Sequence, residues 1–156
     1  MMKRLRLWIA SLFLFAGALT LSAAEGKEWQ TDVAKAQEAA AAENQLVLYD
    51  FTGSDWCPPC MALSRNIFST EAFAKAVEGK FVLVEVDYPR AKPQSNALKR
   101  QNQQLADKYE IQAFPTIIVT DAKGNEISRI MGYPQDGLEG FLQFLKDAQA
   151  KAKKSA

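Results

Sequence analysis

Two cysteines, three positions apart, are the only cysteines of this 156-residue chain. Cys57 and Cys60 follow an apolar run at residues 46–51 and precede a helix-like stretch, so we place them between a strand and a helix. The N–H groups and the dipole of a helix start stabilise a thiolate there and lower the pKa of the thiol. A second thiol about one turn away can attack the first sulfur and close a disulfide. The pattern therefore predicts a redox-active dithiol.

Other uses of a cysteine pair fit this sequence less well. A structural zinc site usually takes four Cys or His ligands, whereas this chain has two cysteines and no histidine. Covalent haem attachment needs a histidine directly after the second cysteine, and Met61 stands there. A plain structural disulfide remains an alternative, although so short a loop restrains the unfolded chain little. We expect neither a metal nor a cofactor.

Four neighbouring residues could assist or tune the pair. Pro58 and Pro59 suit a first helical turn, because its N–H groups lack intrahelical partners. They should also stiffen this turn and thereby shift the balance between dithiol and disulfide. Asp50 could accept the proton of the second thiol if burial raises the pKa of its carboxyl. Its alternative is an ordinary aspartate that points to water. Pro115, just before a β-branched stretch, is either a strand-start proline or a cis-proline.

The N-terminal residues have the pattern of a signal peptide. A basic start precedes an apolar run at residues 7–21 and the small residues 22–24, so we expect cleavage after Ala24. A retained membrane anchor is the alternative. The divisions expected are a signal peptide at 1–24, a domain at 25–150 and a basic tail at 151–156. Export would place the domain in the periplasm or elsewhere outside the cytoplasm, where disulfides persist.

The periodicity of the sequence predicts an α/β fold. Helices are expected at 29–43, 57–68, 71–77, 95–109 and from 136, and strands at 46–51, 81–86, 116–120 and 126–131. Helical connections between the first three strands would allow parallel pairing, and the last two strands should form a hairpin. The expected result is a mixed sheet of about four strands with helices on both faces. A net charge of +1 gives no sign of nucleic-acid binding.

Several motifs together resemble the thioredoxin superfamily over about residues 29–150. They are Asp50-Phe51, Trp56-Cys57-Pro58-Pro59-Cys60, Phe114-Pro115-Thr116 and Lys123-Gly124-Asn125. Residues 53–56 and 66–69 are most similar to exported thioredoxin-like domains, among them the C-terminal domain of DsbD-type membrane reductases. The resemblance implies a thioredoxin fold and a thiol–disulfide oxidoreductase.

The resemblance also implies a role for each matched position. Cys57 would be the exposed nucleophile, Cys60 the buried thiol that resolves the mixed disulfide, and Asp50 the buried acid. Pro115 would be a cis-proline beside the disulfide, and the backbone of the preceding phenylalanine would pair with a substrate strand.

Three matched positions would border the substrate. Trp56 would flank the site, Phe114 is the phenylalanine that would provide the pairing backbone, and Gly132 would line the groove.

Three departures from thioredoxin bear on the redox potential and the partners. Pro58 and Pro59 replace a Gly-Pro pair, and the connection at 88–96 is longer. Glu85 stands where thioredoxin commonly has a lysine. Two acids, Asp50 and Glu85, would then lie behind the site, and the charge of each would raise the pKa of the other.

The functional hypothesis is an exported oxidoreductase for protein disulfides or thiols, more a reductase than an oxidase, served by a membrane or soluble redox partner. A non-catalytic binding module or chaperone is one alternative. A dedicated thiol reductase for cytochrome c maturation is another.

Overall fold

The computed structural model of the chain describes residues 28–155, so the expected signal peptide lies outside the described residues. The elements in chain order are α1 (Val33–Glu43), β1 (Leu46–Thr52), α2 (Pro58–Leu63), a π-helical turn (Ser64–Phe68), α3 (Glu71–Val77), β2 (Phe81–Asp87), α4 (Asn96–Lys108), β3 (Thr116–Thr120), β4 (Glu126–Met131) and α5 (Gly137–Ser155). None of the helices described combines the length and apolarity needed to cross a membrane.

A mixed sheet of four strands organises the domain, as predicted, and its strand order is β2-β1-β3-β4. β1 pairs parallel with β2 and antiparallel with β3, and β3 and β4 form the expected hairpin. Parallel pairing among the first three strands is thus correct only for β1 and β2. The reversal of β3 sets Thr116 opposite Phe51, which brings the start of β3 to the end of β1. The cysteines follow that same end of β1.

Side chains alternate across the sheet and build two apolar layers. One layer joins Tyr49 and Phe51 of β1 to α1 and α4. The other joins Leu48 and Leu83 to the helices that follow the cysteines and to α5. Helices therefore cover both faces, as predicted. Asp50 lies two residues beyond Leu48, so its side chain points to the layer that contains α2.

Three helix predictions differ from the structure by more than one terminal residue. α1 begins at Val33, capped by Asp32, rather than at Trp29, whose ring packs 4.8 Å from that of Phe68 between centroids. The helix expected at 57–68 becomes π-helical after Leu63. α5 continues to Ser155, so most of the expected basic tail is helical.

Candidate active site

The cysteine pair lies at the start of α2, as its sequence context predicted. Cys57 is the N-cap residue, with φ −100° and ψ 102°, and Pro58 opens the helix. The carbonyl of Cys57 accepts the N–H of Met61 at 3.0 Å, and this bond closes the first helical turn. A disulfide joins Cys57 to Cys60, whose Cα atoms are 5.3 Å apart. The two sulfurs are therefore close enough to exchange bonds.

Both cysteines are buried, each with 3% relative exposure. The expectation of an exposed nucleophile at Cys57 is therefore wrong for this disulfide-bonded form. The disulfide joins Cys57 to Cys60, which is buried to the same extent. Pro58 and Pro59, by contrast, are exposed. Little of the surface of either cysteine is therefore open to a client in this form.

The peptide bond between Phe114 and Pro115 is cis, so the alternative of an ordinary strand-start proline is wrong. Pro115 is buried, and its carbonyl accepts the N–H of Gly132 at 2.8 Å. The ring of Trp56 meets that of Phe114 edge-on, with centroids 5.8 Å apart. The four residues expected around the substrate groove are thus linked by successive contacts. Trp56 meets Phe114, Phe114 precedes Pro115, and Pro115 is bonded to Gly132.

Asp50 is buried, with 7% relative exposure, which contradicts the alternative of a carboxylate in water. Within the described residues its Oδ1 atom has no hydrogen-bond partner. Burial is the main cause that raises the pKa of Asp50 well above its ordinary value, and the charges of Glu85 and Asp87 add to it. The carboxyl group is thus held towards its protonated form.

Glu85 lies directly across from Asp50 in the parallel ladder of β1 and β2. It is half-buried, and burial is the first cause that raises the pKa of Glu85. The charge of Asp87 acts in the same direction, whereas Lys92 opposes it. The structure therefore has two acids behind α2, as the sequence suggested.

A pocket of about 410 Å³ connects these acids with the disulfide. Its lining includes Asp50, Glu85 and Cys60, but not Cys57. Ser54, Ser64 and other polar side chains also line it. Asp50 thus shares a cavity with the second cysteine of the pair and not with the first. This arrangement would let Asp50 exchange a proton with Cys60. Within residues 28–155, no group of three or more His, Cys, Asp or Glu side chains could hold a metal ion.

The β2–α4 loop, residues 88–95, is tied to the turn before the cysteines. Asp55 accepts the backbone N–H groups of Arg90, Ala91 and Lys92 at 3.0, 2.7 and 3.2 Å. These bonds, that of Arg90 first, lower the pKa of Asp55. The indole N–H of Trp56 adds a bond of 2.7 Å to the carbonyl of Tyr88.

Two further hydrogen bonds join the turn before the cysteines to the end of β2. Ser54 donates its N–H and its hydroxyl to Asp87 at 2.9 and 2.6 Å. Sequence analysis missed the roles of Asp55, Asp87 and Arg90, because their partners lie more than 30 positions away and no spacing marks them. The only signal was the place of Asp55 within the segment that carried the resemblance.

Three groups enclose the ring of Trp56. Arg90 places its Cζ atom 4.0 Å from the ring centroid, and Phe114 meets the ring edge-on. Gly53 lies so close that a Cβ atom there would stand 2.4 Å from the indole. The side chain of the residue before Cys57 is therefore held in one position.

Comparison with known proteins decides the family. Residues 33–149 match a family model described as "Thioredoxin-like domain". The chain belongs to this thioredoxin-like family. It is 34% identical to the "Thioredoxin-related protein DsbJ" of Chlamydia pneumoniae, over 83% of this chain but only 38% of that protein. It is 29% identical to the "Disulfide bond reductase DsbH" of the same organism, over 81% of this chain and 75% of that protein.

Solved structures agree with the thioredoxin fold. A structure titled "DsbH Oxidoreductase" superposes with a TM-score of 0.69 at 28% identity, covering 80% of this chain and 85% of that chain. The oxidised C-terminal domain of DsbD from Neisseria meningitidis gives a TM-score of 0.56 at 19% identity, over 74% of this chain and 90% of that one, which supports the fold alone. With its disulfide between Cys57 and Cys60, this thioredoxin-like protein is a thiol–disulfide oxidoreductase.

Proposed function

We propose that this protein is an exported reductase that exchanges disulfides with protein substrates through its Cys-Pro-Pro-Cys site. The observation that carries the proposal is a disulfide-bonded pair at a helix start, whose second cysteine shares a pocket with a buried acid. A cis-proline, Pro115, stands just before the β3 residue that pairs with the end of β1. The name "Disulfide bond reductase" of one relative supports the reducing direction.

The first step uses Cys57 in the reduced protein. The start of α2 favours its thiolate, because the free N–H groups and the helix dipole stabilise negative charge. The thiolate attacks one sulfur of a client disulfide and forms a bond between Cys57 and the client. The other client sulfur leaves as a thiolate and takes a proton from water.

The second step uses Cys60 and Asp50. Asp50 takes the proton of the Cys60 thiol, and the resulting thiolate attacks the sulfur of Cys57. The Cys57–Cys60 disulfide forms, and the second client sulfur leaves and is protonated. The client gains two electrons and two protons, and a dithiol redox partner, membrane-bound or soluble, must restore them to this protein. A raised pKa suits Asp50 to this task, because it makes the carboxylate a stronger base.

The client would lie across the surface around Pro115. We assign the pairing of an extended client segment to the backbone of Phe114, with Trp56 and Gly132 at its borders. Support comes from the exposed side chains of Met131 and Tyr133, which flank Gly132 and are 63% and 37% exposed. Such apolar side chains offer contact area to a peptide.

The remaining assignments concern tuning of the redox potential. Pro58 and Pro59 would stiffen the turn that carries the sulfurs, which changes the relative free energies of dithiol and disulfide. Glu85 would act through its charge, which raises the pKa of Asp50.

Insulin reduction with dithiothreitol as donor tests the activity. We expect the wild type to accelerate precipitation of the insulin B chain and Cys57→Ser to match the uncatalysed rate. Equal rates for the two proteins would instead support a non-catalytic binding module.

Titration in glutathione buffers tests the direction. A reductase should have a potential near that of thioredoxin, about −270 mV, rather than that of the oxidant DsbA, about −120 mV. A value above about −150 mV on this scale would reject the reductase proposal.

Export depends on the first 24 residues and has its own test. Intact-mass measurement of the protein from a periplasmic extract should give a chain that begins at Glu25. A cytoplasmic product that keeps residues 1–24 would reject export.

A further inference from the structure

The β2–α4 loop holds one guanidinium group over the side chain of Trp56, the residue that precedes the proposed nucleophile. Arg90 places its Cζ atom 4.0 Å from the centroid of the Trp56 ring. Cys57 directly follows Trp56 in the sequence. We propose that Arg90 determines specificity by binding a carboxylate near the client's reactive cysteine. The inference rests on the proposed function and adds a substrate class to it: disulfides flanked by acidic residues.

Hydrogen bonds hold both ends of the loop that carries Arg90. At the near end, Asp55 accepts the N–H of Arg90 at 3.0 Å, and the carbonyl of Tyr88 accepts the indole N–H of Trp56. At the far end, the carbonyl of Asp87 accepts side-chain N–H groups of Gln94 and Asn102, both at 2.9 Å. A guanidinium that is already positioned loses less conformational entropy when a carboxylate binds.

The donors of this guanidinium remain available. The contact with the face of the Trp56 ring is electrostatic and occupies none of the guanidinium N–H groups as hydrogen-bond donors. Across residues 28–155, none of the salt bridges or side-chain hydrogen bonds involves the Arg90 guanidinium. Arg90 is also exposed. An approaching carboxylate could therefore bind two parallel N–H groups.

A second cation lies on the same loop as Arg90. Lys92, on the same loop, is exposed and donates to the Ser54 hydroxyl at 2.9 Å. The nearby carboxylates of Asp55 and Asp87 already accept hydrogen bonds from the loop and from Ser54. Their charges offset those of Arg90 and Lys92, so the preference rests on direct contact with the Arg90 guanidinium. That contact would attract a client carboxylate and repel a lysine.

The test compares two peptides that differ only beside the cysteines of an internal disulfide, one with glutamate and one with lysine. The reduced wild type and each variant are mixed with each peptide, and single-turnover reduction rates are measured at low and high salt. The measured quantity is the ratio of the two rates within each protein, which cancels any general loss of activity. Exposed ion pairs are weak, so we expect a ratio of about two to five in favour of glutamate.

The variants separate a role of Arg90 from the general field of the protein. Arg90→Gln should bring the ratio close to one, and Arg90→Glu should reverse it. Arg100→Gln, which removes an exposed arginine from α4, should keep the wild-type ratio. High salt should reduce the preference of the wild type.

Each other outcome overturns the inference. Equal reduction of both peptides by the wild type would reject the role of Arg90 while leaving the proposed function intact. An equal loss of preference in Arg90→Gln and Arg100→Gln would show a diffuse field instead of a specific contact. If the wild type reduces neither peptide nor insulin, the proposed function fails and this inference fails with it.

Discussion

Asp50 and Glu85 stand opposite each other in the parallel ladder of β1 and β2, and both line the pocket that reaches Cys60. A cation at the second position would favour the ionised form of Asp50, but the acid found there disfavours it. Burial and the facing charge therefore act in the same direction. The protonation state of Asp50 should therefore affect both the stability of the fold and the reactivity of the cysteine pair.

Replacement of Asp50 by asparagine should stabilise the protein at neutral and alkaline pH. Folded Asp50 has a raised pKa, so between its ordinary pKa and this raised value the folded state binds more protons than the unfolded state. Stability contributed at this site is therefore lost as pH rises through that window. We expect Asp50→Asn to raise the free energy of unfolding by about 1–3 kcal/mol at pH 8, the typical cost of an unsatisfied buried group.

Urea denaturation of the oxidised proteins at pH 4 and pH 8 measures this effect. The gain from Asp50→Asn should be much smaller at pH 4, where the wild-type carboxyl is protonated. Asp136→Asn, at an exposed position, serves as the control and should show no such pH dependence. A gain of the same size at both pH values would exclude ionisation as its cause.

Replacement of Glu85 by glutamine should make Asp50 ionise at lower pH. The change removes a like charge that contributes to the raised pKa of Asp50, although burial, the larger cause, remains. If Asp50 accepts the proton of Cys60, the rate of client release from the mixed disulfide rises with pH as Asp50 ionises. The midpoint of that rise should shift to lower pH in Glu85→Gln and stay unchanged in Glu78→Gln, which lies exposed after α3. An unshifted midpoint in Glu85→Gln would separate Glu85 from the proton transfer.

A methyl group at Gly53 should displace the indole of Trp56. The added Cβ would stand 2.4 Å from the ring, and the ring is also held by Arg90 and by a hydrogen bond to Tyr88. We expect Gly53→Ala to lower the free energy of unfolding by about 1–3 kcal/mol, as overpacking does elsewhere. Thermal unfolding followed by tryptophan fluorescence measures it.

A second substitution shows whether the clash causes that loss. In a Trp56→Ala background the ring is absent, so Gly53→Ala should cost much less. Equal costs in both backgrounds would assign the effect to the backbone of Gly53 instead.

Removal of the Asp55 carboxylate should release the β2–α4 loop. Three backbone N–H groups would lose their acceptor in Asp55→Ala, and the loop would open more often. We expect faster tryptic cleavage of the bond between Arg90 and Ala91, followed by mass spectrometry. Asp147→Ala, on the exposed side of α5, should leave this rate at the wild-type value. Unchanged cleavage in Asp55→Ala would show that other contacts hold the loop.

The sequence allowed prediction of those features that depend on local pattern. The bounds of α3, β3 and β4 are correct because turns and β-branched residues mark them directly. The start of α1 was placed too early because Trp29 packs on Phe68 and Gln30 forms a bridge to Val84. Those contacts lie far apart in the chain, and helix propensity does not reveal them.

The same limit applies to the candidate site. The cysteines, cis-Pro115 and the two acids were identified because each belongs to a short motif or a strand pattern. Cys57 is buried by the packing of the folded domain, and the Arg90 backbone is bonded to Asp55, 35 residues earlier. Such features follow from tertiary packing alone.

Trapping of the mixed disulfide tests the central claim most directly, namely that Cys57 attacks the client and Cys60 releases it. Cys60→Ser and Cys57→Ser, each reduced, are incubated with one peptide that carries an internal disulfide, and covalent adducts are counted by intact-mass spectrometry. We predict a stable one-to-one adduct of Cys60→Ser and almost none of Cys57→Ser. A stable adduct formed by Cys57→Ser alone, or by neither variant, would contradict the account.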